Sequence, residues 1–331
     1  MQGFLRHDSG ACGELYPVID GIPRVLVGSA RAPLAQAHAT WFAVNAERRS
    51  LAARWLSDRS EGDPVVGGFD FEWSLFSRVR TDDLRQVFEL YFDLVPPERF
   101  ADDLVVLDAG CGAGRWACEV AARGPRVIAV DLGLSVEIAR ANAAELPVAC
   151  LQADLRALPL AAGSVDWAYS LGVLHHVSEP GIALHRIRRT VRPGGLVLLY
   201  LYYALGSRGI AFRSLFWIVD AVRRVTSRLP RRVALAVTVP IALFVYWPLA
   251  RLSALLGRFG WRDLADALPL SFYRERSLAI MLNDSLDRFG TRLERRYTRE
   301  EMLRLMREAG LDEIVFSSSW PFWHARASLH R

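Results

Sequence analysis

The residues best placed to do chemistry begin at Val105-Val106-Leu107-Asp108-Ala109-Gly110-Cys111-Gly112-Ala113-Gly114, an apolar run closed by an acid and three alternating glycines. Glycine at 110, 112 and 114 lets the main chain approach a ligand where any Cβ would collide. A dinucleotide-binding turn spaces its glycines G-x-G-x-x-G and carries pyrophosphate on the following helix N-terminus. Here position 115 is arginine, and an acid precedes the glycines. A carboxylate there repels pyrophosphate and suits an ammonium such as that of an amino-acid moiety, which argues against a nicotinamide dinucleotide. Two more acids close apolar runs, Asp131 in Val130-Asp131-Leu132 and Asp154 in Gln152-Ala153-Asp154-Leu155. The two oxygens of one carboxylate match a vicinal diol. His175 and His176 stand where a base could reach a phenol, enol or amine; the competing reading has one of them pack on a sheet and cap a turn. Gly68-Phe69-Asp70-Phe71-Glu72-Trp73 sets Glu72 among aromatics, where it could steady a cation or act as base. A helix simply packing its aromatics on the sheet explains that run equally well.

These residues need strands that end where chemistry begins. From residue 103 short apolar strands alternate with amphipathic helices: strands at 105–107, 127–130, 148–152, 165–170 and 196–202, with helices at 115–122, 135–144 and 182–190. Such alternation implies right-handed βαβ crossovers and a doubly wound parallel sheet. Thr298-Arg299-Glu300-Glu301 is a capping box for a helix to Ala309, stopped by Gly310 and followed by strands near 314–318 and 325–329. Upstream, Asp20-Gly21 between apolar runs signals a hairpin turn. Residues 32–62 read as an Ala- and Arg-rich helix, Pro64 to Asp70 as a loop, and Asp82 to Leu94 as a helix capped by Thr81 or Asp82 and stopped by Pro96-Pro97.

The glycine run resembles motif I of the class I S-adenosylmethionine-dependent methyltransferases, and the resemblance continues in order through residue 202. Asp131 matches the family's acid that accepts both ribose hydroxyls, with Leu132 beside it. Asp154 matches the acid that bonds the adenine amine, and Leu155 would offer its N–H to the ring. Asp166-Trp167-Ala168-Tyr169-Ser170-Leu171-Gly172-Val173-Leu174-His175-His176 resembles the fourth strand and its exit, which implies that Ser170 and Leu171 line the methionine side. Arg192-Pro193-Gly194-Gly195-Leu196 resembles the turn into the fifth strand. The Val-Leu-His-His exit is similar to that of the quinone-biosynthesis methyltransferases over roughly residues 103–202. The resemblance implies a cofactor site of Asp108, Gly110, Cys111, Gly112, Gly114, Asp131, Leu132, Asp154, Leu155, Ser170 and Leu171, with S-adenosylmethionine as methyl donor and S-adenosylhomocysteine as product. It also implies a Rossmann-like seven-stranded sheet in the order 3-2-1-4-5-7-6. Residues 12–23, Cys12 to Pro23, are similar to the tail of the small zinc-ribbon domain that activates some methyltransferases, but a lone Cys12 cannot build a tetrahedral site, so no metal is expected.

Composition narrows the partners. The 331 residues are 52% hydrophobic and carry a formal charge of +5, yet the sequence contains no lysine, so all 41 basic residues are arginine, interleaved with 36 acids. That pattern points to coding bias and a solvated surface rather than to nucleic acid. Four scattered cysteines, with no C-x-x-C pair, and an N-terminus interrupted by Arg6, His7 and Asp8 point to a reducing cytoplasm.

Residues 205–285 interrupt the alternation. Val233 to Ala250 contains no charge, lies between Arg231-Arg232 and Arg251, and holds Pro240 and Pro248, which should break a helix. Trp217, Tyr246, Trp247, Trp261 and Arg223, Arg224 and Arg228 surround it. Three readings stand open: a helical lid over a hydrophobic substrate, peripheral membrane contact through 213–261 on the cytoplasmic face, and a true span. Asn283, Asp284, Arg295, Arg296 and Tyr297 close the insertion and could orient a polar head group. The expected organisation is a short remnant at 1–30, a helical cap at 31–100, a cofactor-binding core at 101–204, the apolar and basic insertion at 205–290, and completion of the core at 291–331. The expected activity is methyl transfer to a hydrophobic small-molecule or lipid-like acceptor on O, C or N, with His175, His176 and Glu72 as catalytic candidates. An RNA or protein methyltransferase would differ by salt-sensitive nucleic-acid affinity, and a non-catalytic partner subunit by failing to bind the cofactor.

Overall fold

In the computed structural model, which describes residues 2–6, 14–57, 64–76, 81–204, 219–291, 293–318 and 323–329, the N-terminal residues are the first surprise. β1 (Gly3–Arg6), β2 (Leu15–Ile19) and β3 (Ile22–Val25) form an antiparallel meander. Asp20 and Gly21 both take positive φ, 53° and 78°, as a two-residue hairpin turn requires. Cys12 and Trp217 lie outside the described residues.

The expected core follows: β4 (Val105–Ala109), β5 (Arg126–Asp131), β6 (Val148–Ala153), β7 (Val165–Leu171), β8 (Val191–Leu201), β9 (Asp312–Phe316) and β10 (Trp323–Ser328). Their spatial order is β6-β5-β4-β7-β8-β10-β9, the 3-2-1-4-5-7-6 order, with β4 to β8 parallel and β10 antiparallel to both neighbours. The meander does not stand apart from it. β3 pairs in parallel with β6, Arg24 opposite Gln152, so one ten-stranded sheet results. Arg24 is fully buried at this seam, donating to Gln152 Oε1 at 2.9 Å and pairing with Glu137 Oε1 at 2.8 Å. A buried guanidinium is tolerable only with such partners.

The 32–62 region is three helices, α1 (Arg31–Ala37), α2 (Ala39–Phe42) and α3 (Ala46–Leu56), instead of one. The chain restarts at Asn45, which is extended and whose side chain accepts the Arg48 N–H at 2.8 Å. The loop expected at Pro64 to Asp70 is instead the first half of α4 (Pro64–Leu75). Proline is well suited to the first turn of a helix, and tertiary packing outweighs the poor propensity of Gly67 and Gly68. α5 (Thr81–Phe92) follows, and its Phe88 and Phe92 pack with Phe100, Trp116 and Trp167 on one face of the sheet. α6 (Arg115–Ala121), α7 (Ser135–Ala143) and α8 (Pro180–Thr190) are the crossover helices.

In the insertion, one continuous helix, α9 (Arg231–Arg258), runs through both prolines. A π-helical turn at Ala242–Tyr246 separates Pro240 from Pro248. Such a turn absorbs the hydrogen bonds that proline removes, which is why the helix is not broken. α10 (Arg262–Ala267), α11 (Leu278–Gly290) and α12 (Arg299–Glu308) complete the chain, and both hydrogen bonds of the Thr298/Glu301 capping box are present.

Candidate functional site

At the carboxyl ends of β4, β5, β6 and β7 a cleft of about 510 Å³ opens, floored by the sheet and roofed by α4, α9 and α11. The crevice outside the carboxyl ends of the strands is where ligands of open α/β sheets bind. Its floor begins with the glycine turn. Gly110, at φ +90°, would place an added Cβ 2.4 Å from the Val173 side chain; Gly112, at φ +53°, would place one 2.8 Å from the Trp73 indole. Both glycines line the cleft, as do Cys111, Asp131, Leu132, Asp154, Leu155 and Leu171.

Asp131 organises this floor. Its Oδ2 accepts the Gly112 N–H at 2.8 Å and its Oδ1 accepts the Gly133 N–H at 2.9 Å, so the carboxylate ties the glycine turn to the end of β5. The Leu132 N–H and the Ser135 hydroxyl reach the same carboxylate. Burial pushes the Asp131 carboxyl above its ordinary range, offset by those N–H donors. Asp154 is fixed by Arg156, whose Nη2 lies 2.7 Å from Oδ2, and by the Arg156 N–H at 2.8 Å. The sequence reading missed Arg156, although an arginine two residues past an acid at a strand end is the natural partner for it.

Three expected cofactor residues do not line the cleft. Asp108 sits beneath the glycine turn, 2% exposed, with Oδ2 unpartnered, and burial pushes its carboxyl up to about 7. Gly114 starts α6 at φ +77°, and an added Cβ would meet Ala139 Cβ at 2.8 Å, so its smallness serves helix packing against α7. Ser170 is fully buried and donates its hydroxyl to the Ala109 carbonyl at 2.8 Å, a brace between β7 and β4.

The two histidines part company. His175 is fully buried outside the cleft lining, stacked on Tyr202 at 3.9 Å, and burial holds its imidazole well below the ordinary range. It is a neutral core residue and is not placed to act as a base. His176 lines the cleft. Its Nδ1 lies 2.6 Å from the Leu293 carbonyl, which can only accept, so Nδ1 carries the proton and Nε2 keeps its lone pair. Nε2 is buried without a hydrogen-bond partner, 3.8 Å from Asp287 Oδ1.

α4 closes the cleft from above. Phe69, Glu72 and Trp73 line it, and Asp70 Oδ1 accepts the Ser135 N–H at 3.0 Å, which anchors α4 to the first turn of α7. Burial pushes the Asp70 carboxyl up to about 6. Glu72 is buried, and burial together with Asp287 and Asp284 on α11 holds its carboxyl well above the ordinary range. Tyr273 donates to Asp284 at 2.7 Å and Tyr202 to Asp287 at 2.5 Å. Asn283, Asp284 and Arg296, singled out in the sequence, do line the cleft, while Arg295 and Tyr297 do not. Asp287 and Arg288 were missed; the i, i+3, i+4 spacing of Asp284, Asp287 and Arg288 on a helix was the available signal.

Residues 107–199 match the methyltransferase domain family. They form a class I, S-adenosylmethionine-dependent methyltransferase domain. The methyltransferase domain is 32% identical over 114 residues to an uncharacterised methyltransferase of Mycobacterium bovis, covering 34% of this chain and 58% of that one. It is 34% identical over 128 residues to a malonyl-[acyl-carrier protein] O-methyltransferase of Yersinia pestis, covering 38% and 46%. A ubiquinone/menaquinone biosynthesis C-methyltransferase of Syntrophotalea carbinolica is 35% identical over 99 residues, covering 28% and 42%. The chain thus spans about half the length of the curated relatives it matches, and the matches fall on the methyltransferase domain.

Proposed function

We infer that the chain transfers the methyl group of S-adenosylmethionine to an apolar small-molecule or lipid-like acceptor held between the sheet and the inserted helices. The observation that carries this reading is the Asp131 carboxylate, held by the Gly112 and Gly133 N–H groups at the floor of the cleft. A carboxylate fixed this way presents oriented acceptor oxygens to a ribose diol. Asp131, Asp154, Leu132 and Leu155 would hold the nucleoside, and the Asp108 carboxyl would lie beneath the turn, on the side of the amino-acid portion. When bound, S-adenosylmethionine supplies a methyl group already activated by its sulfonium.

What the chain must add is alignment, exclusion of water and, for a protonated nucleophile, a base. Phe69 and Trp73 on α4 and Ile241, Val245 and Leu249 on α9 give the roof an apolar surface. His176 Nε2 accepts the acceptor's proton, and Asp287 at 3.8 Å stabilises the imidazolium that results. Glu72, whose carboxyl is held well above the ordinary range by burial and its acidic neighbours, would donate a hydrogen bond to the acceptor in its neutral form. The test is incubation with methyl-labelled S-adenosylmethionine and a panel of long-chain phenols, amines and carboxylic acids, reading label extracted into organic solvent. His176→Gln should lower turnover of the preferred acceptor on the order of a hundredfold or more while leaving S-adenosylhomocysteine affinity unchanged. Label transfer that persists undiminished in this variant removes His176 from the chemistry.

A further inference from the structure

We propose that the outer face of α9 and the segment that follows it docks on an anionic lipid bilayer, with α9 lying in the plane of the headgroups. The outer side of α9 shows a surface that a water-facing helix has no reason to show. Phe244, Trp247, Leu252, Leu255, Phe259 and Trp261 are all exposed, and Phe244, Phe259 and Trp261 are 77%, 70% and 61% exposed. Large exposed apolar patches on a soluble protein mark a contact surface, and aromatic side chains favour the membrane–water interface.

Charge selects the occupant. Between Asp220 and Asp263 the sequence has eight arginines and no acid. Arg228, Arg231, Arg232, Arg258 and Arg262 are exposed around the apolar face, with Asp263 the nearest exposed acid on α10. Basic side chains flanking an aromatic and aliphatic face are the pattern of an interfacial helix on anionic headgroups, whereas a protein partner gives no reason for acids to be excluded over so long a stretch.

Its inner face keeps α9 from crossing the bilayer. Ser285 of α11 donates to the Thr238 carbonyl at 3.0 Å, and Arg251 donates to the Arg274 and Arg276 carbonyls at 3.0 and 3.1 Å. Ile241, Val245 and Leu249, one turn apart, line the cleft. The helix is therefore fastened along one side to elements that carry Asp284, Asp287 and Arg288, and only its opposite side is free for lipid. A bilayer against the outer side would stand one helix diameter from the cleft, so an apolar acceptor could pass between membrane and cleft without entering water.

Flotation of the full chain with phosphatidylcholine vesicles, with or without phosphatidylglycerol, tests this independently of any methyl transfer. The wild-type chain should float with the phosphatidylglycerol vesicles, and binding should weaken, though not vanish, at high salt. Phe244→Asp combined with Phe259→Asp and Trp261→Asp should lower the bound fraction at least about tenfold, and Arg258→Glu with Arg262→Glu should do so on the order of tenfold at low salt. Both variants should keep the wild-type melting temperature, since these side chains are exposed. Three results overturn the proposal: no flotation with either vesicle, flotation that neither variant alters, or self-association through this face in place of vesicle binding. Retention of wild-type chain in vesicles after alkaline washing would also overturn it, in favour of a span.

Discussion

Gly110 offers the most quantitative check on the geometry of the glycine turn. Its N–H donates to the Val130 carbonyl at 2.8 Å, and the next N–H, of Cys111, shares that acceptor at 2.9 Å, so the backbone cannot retreat. An alanine methyl would lie 2.4 and 2.5 Å from the two Val173 methyls and 2.9 Å from Val173 Cβ, at a φ of +90°. Val173 is itself held, because its carbonyl accepts the His176 N–H at 2.8 Å. Strain at a left-handed position costs about 1–3 kcal/mol. Forcing a methyl into filled space costs about 1–3 kcal/mol more. Gly110→Ala should therefore destabilise the chain by roughly 2–6 kcal/mol and lower its melting temperature by roughly 3–9 °C. Val173→Ala removes both clashing methyls but leaves the 2.9 Å contact and the strained φ, so the double variant should recover about 1–2 kcal/mol of that loss. Thermal and urea unfolding of the four chains closes the cycle. Additive effects of the two substitutions, or a Gly110→Ala chain as stable as wild type, would refute the placement of Val173 on the turn.

Burial raises the carboxyls of Asp70, Glu72, Asp108, Asp131 and Asp284 alike. For Asp108, at about 7 in the folded chain against about 3.9 unfolded, the folded state holds a proton that the unfolded state has released throughout that window. Stability should fall as pH rises from about 4 to about 7, by up to about 1.4 kcal/mol per pH unit from this group, and Asp108→Asn should flatten melting temperature against pH. Arg24→Met removes the bonds to Gln152 and Glu137 and should cost about 1–3 kcal/mol, milder than an orphaned charge because Gln152 also donates to the Leu132 carbonyl and Glu137 also meets His38. Hydrogen exchange should then show residues 15–25 opening before the β4–β8 core; uniform exchange would mean that the meander is not docked through this seam.

The parallel core and most of the cofactor floor were legible because their determinants are local. An apolar strand ending in Asp108 or Asp131, followed by glycine or a helix start, fixes where a side chain sits whatever surrounds it. Thr298 and Glu301 cap their helix from within one turn for the same reason. Ser170 was misplaced because resemblance fixes its position along β7 but not its hydrogen bond, which runs to Ala109 on the neighbouring strand. His175 and His176 are adjacent in sequence and chemically equal, and only the Leu293 carbonyl and the Tyr202 ring, more than twenty residues away, separate the core residue from the candidate base. The carboxylates of α11 reach the cleft through the fold of an insertion whose course no periodicity reveals. The first half of α4, Pro64 to Asp70, reads as a loop because Gly67 and Gly68 are poor helix formers. Trp73 against Gly112, Phe69 against His176 and Asp70 on the Ser135 N–H outweigh them.

The cleft is a nucleoside site only if Asp131 holds the ligand. Calorimetric titration of S-adenosylhomocysteine into the purified chain, beside Asp131→Ala, tests that claim most directly. The account predicts one-to-one binding in wild type, weakened on the order of a hundredfold in the variant through loss of two charge-assisted acceptors. A wild-type chain that gives no heat and no thermal shift, or a variant that binds as tightly as wild type, would contradict it.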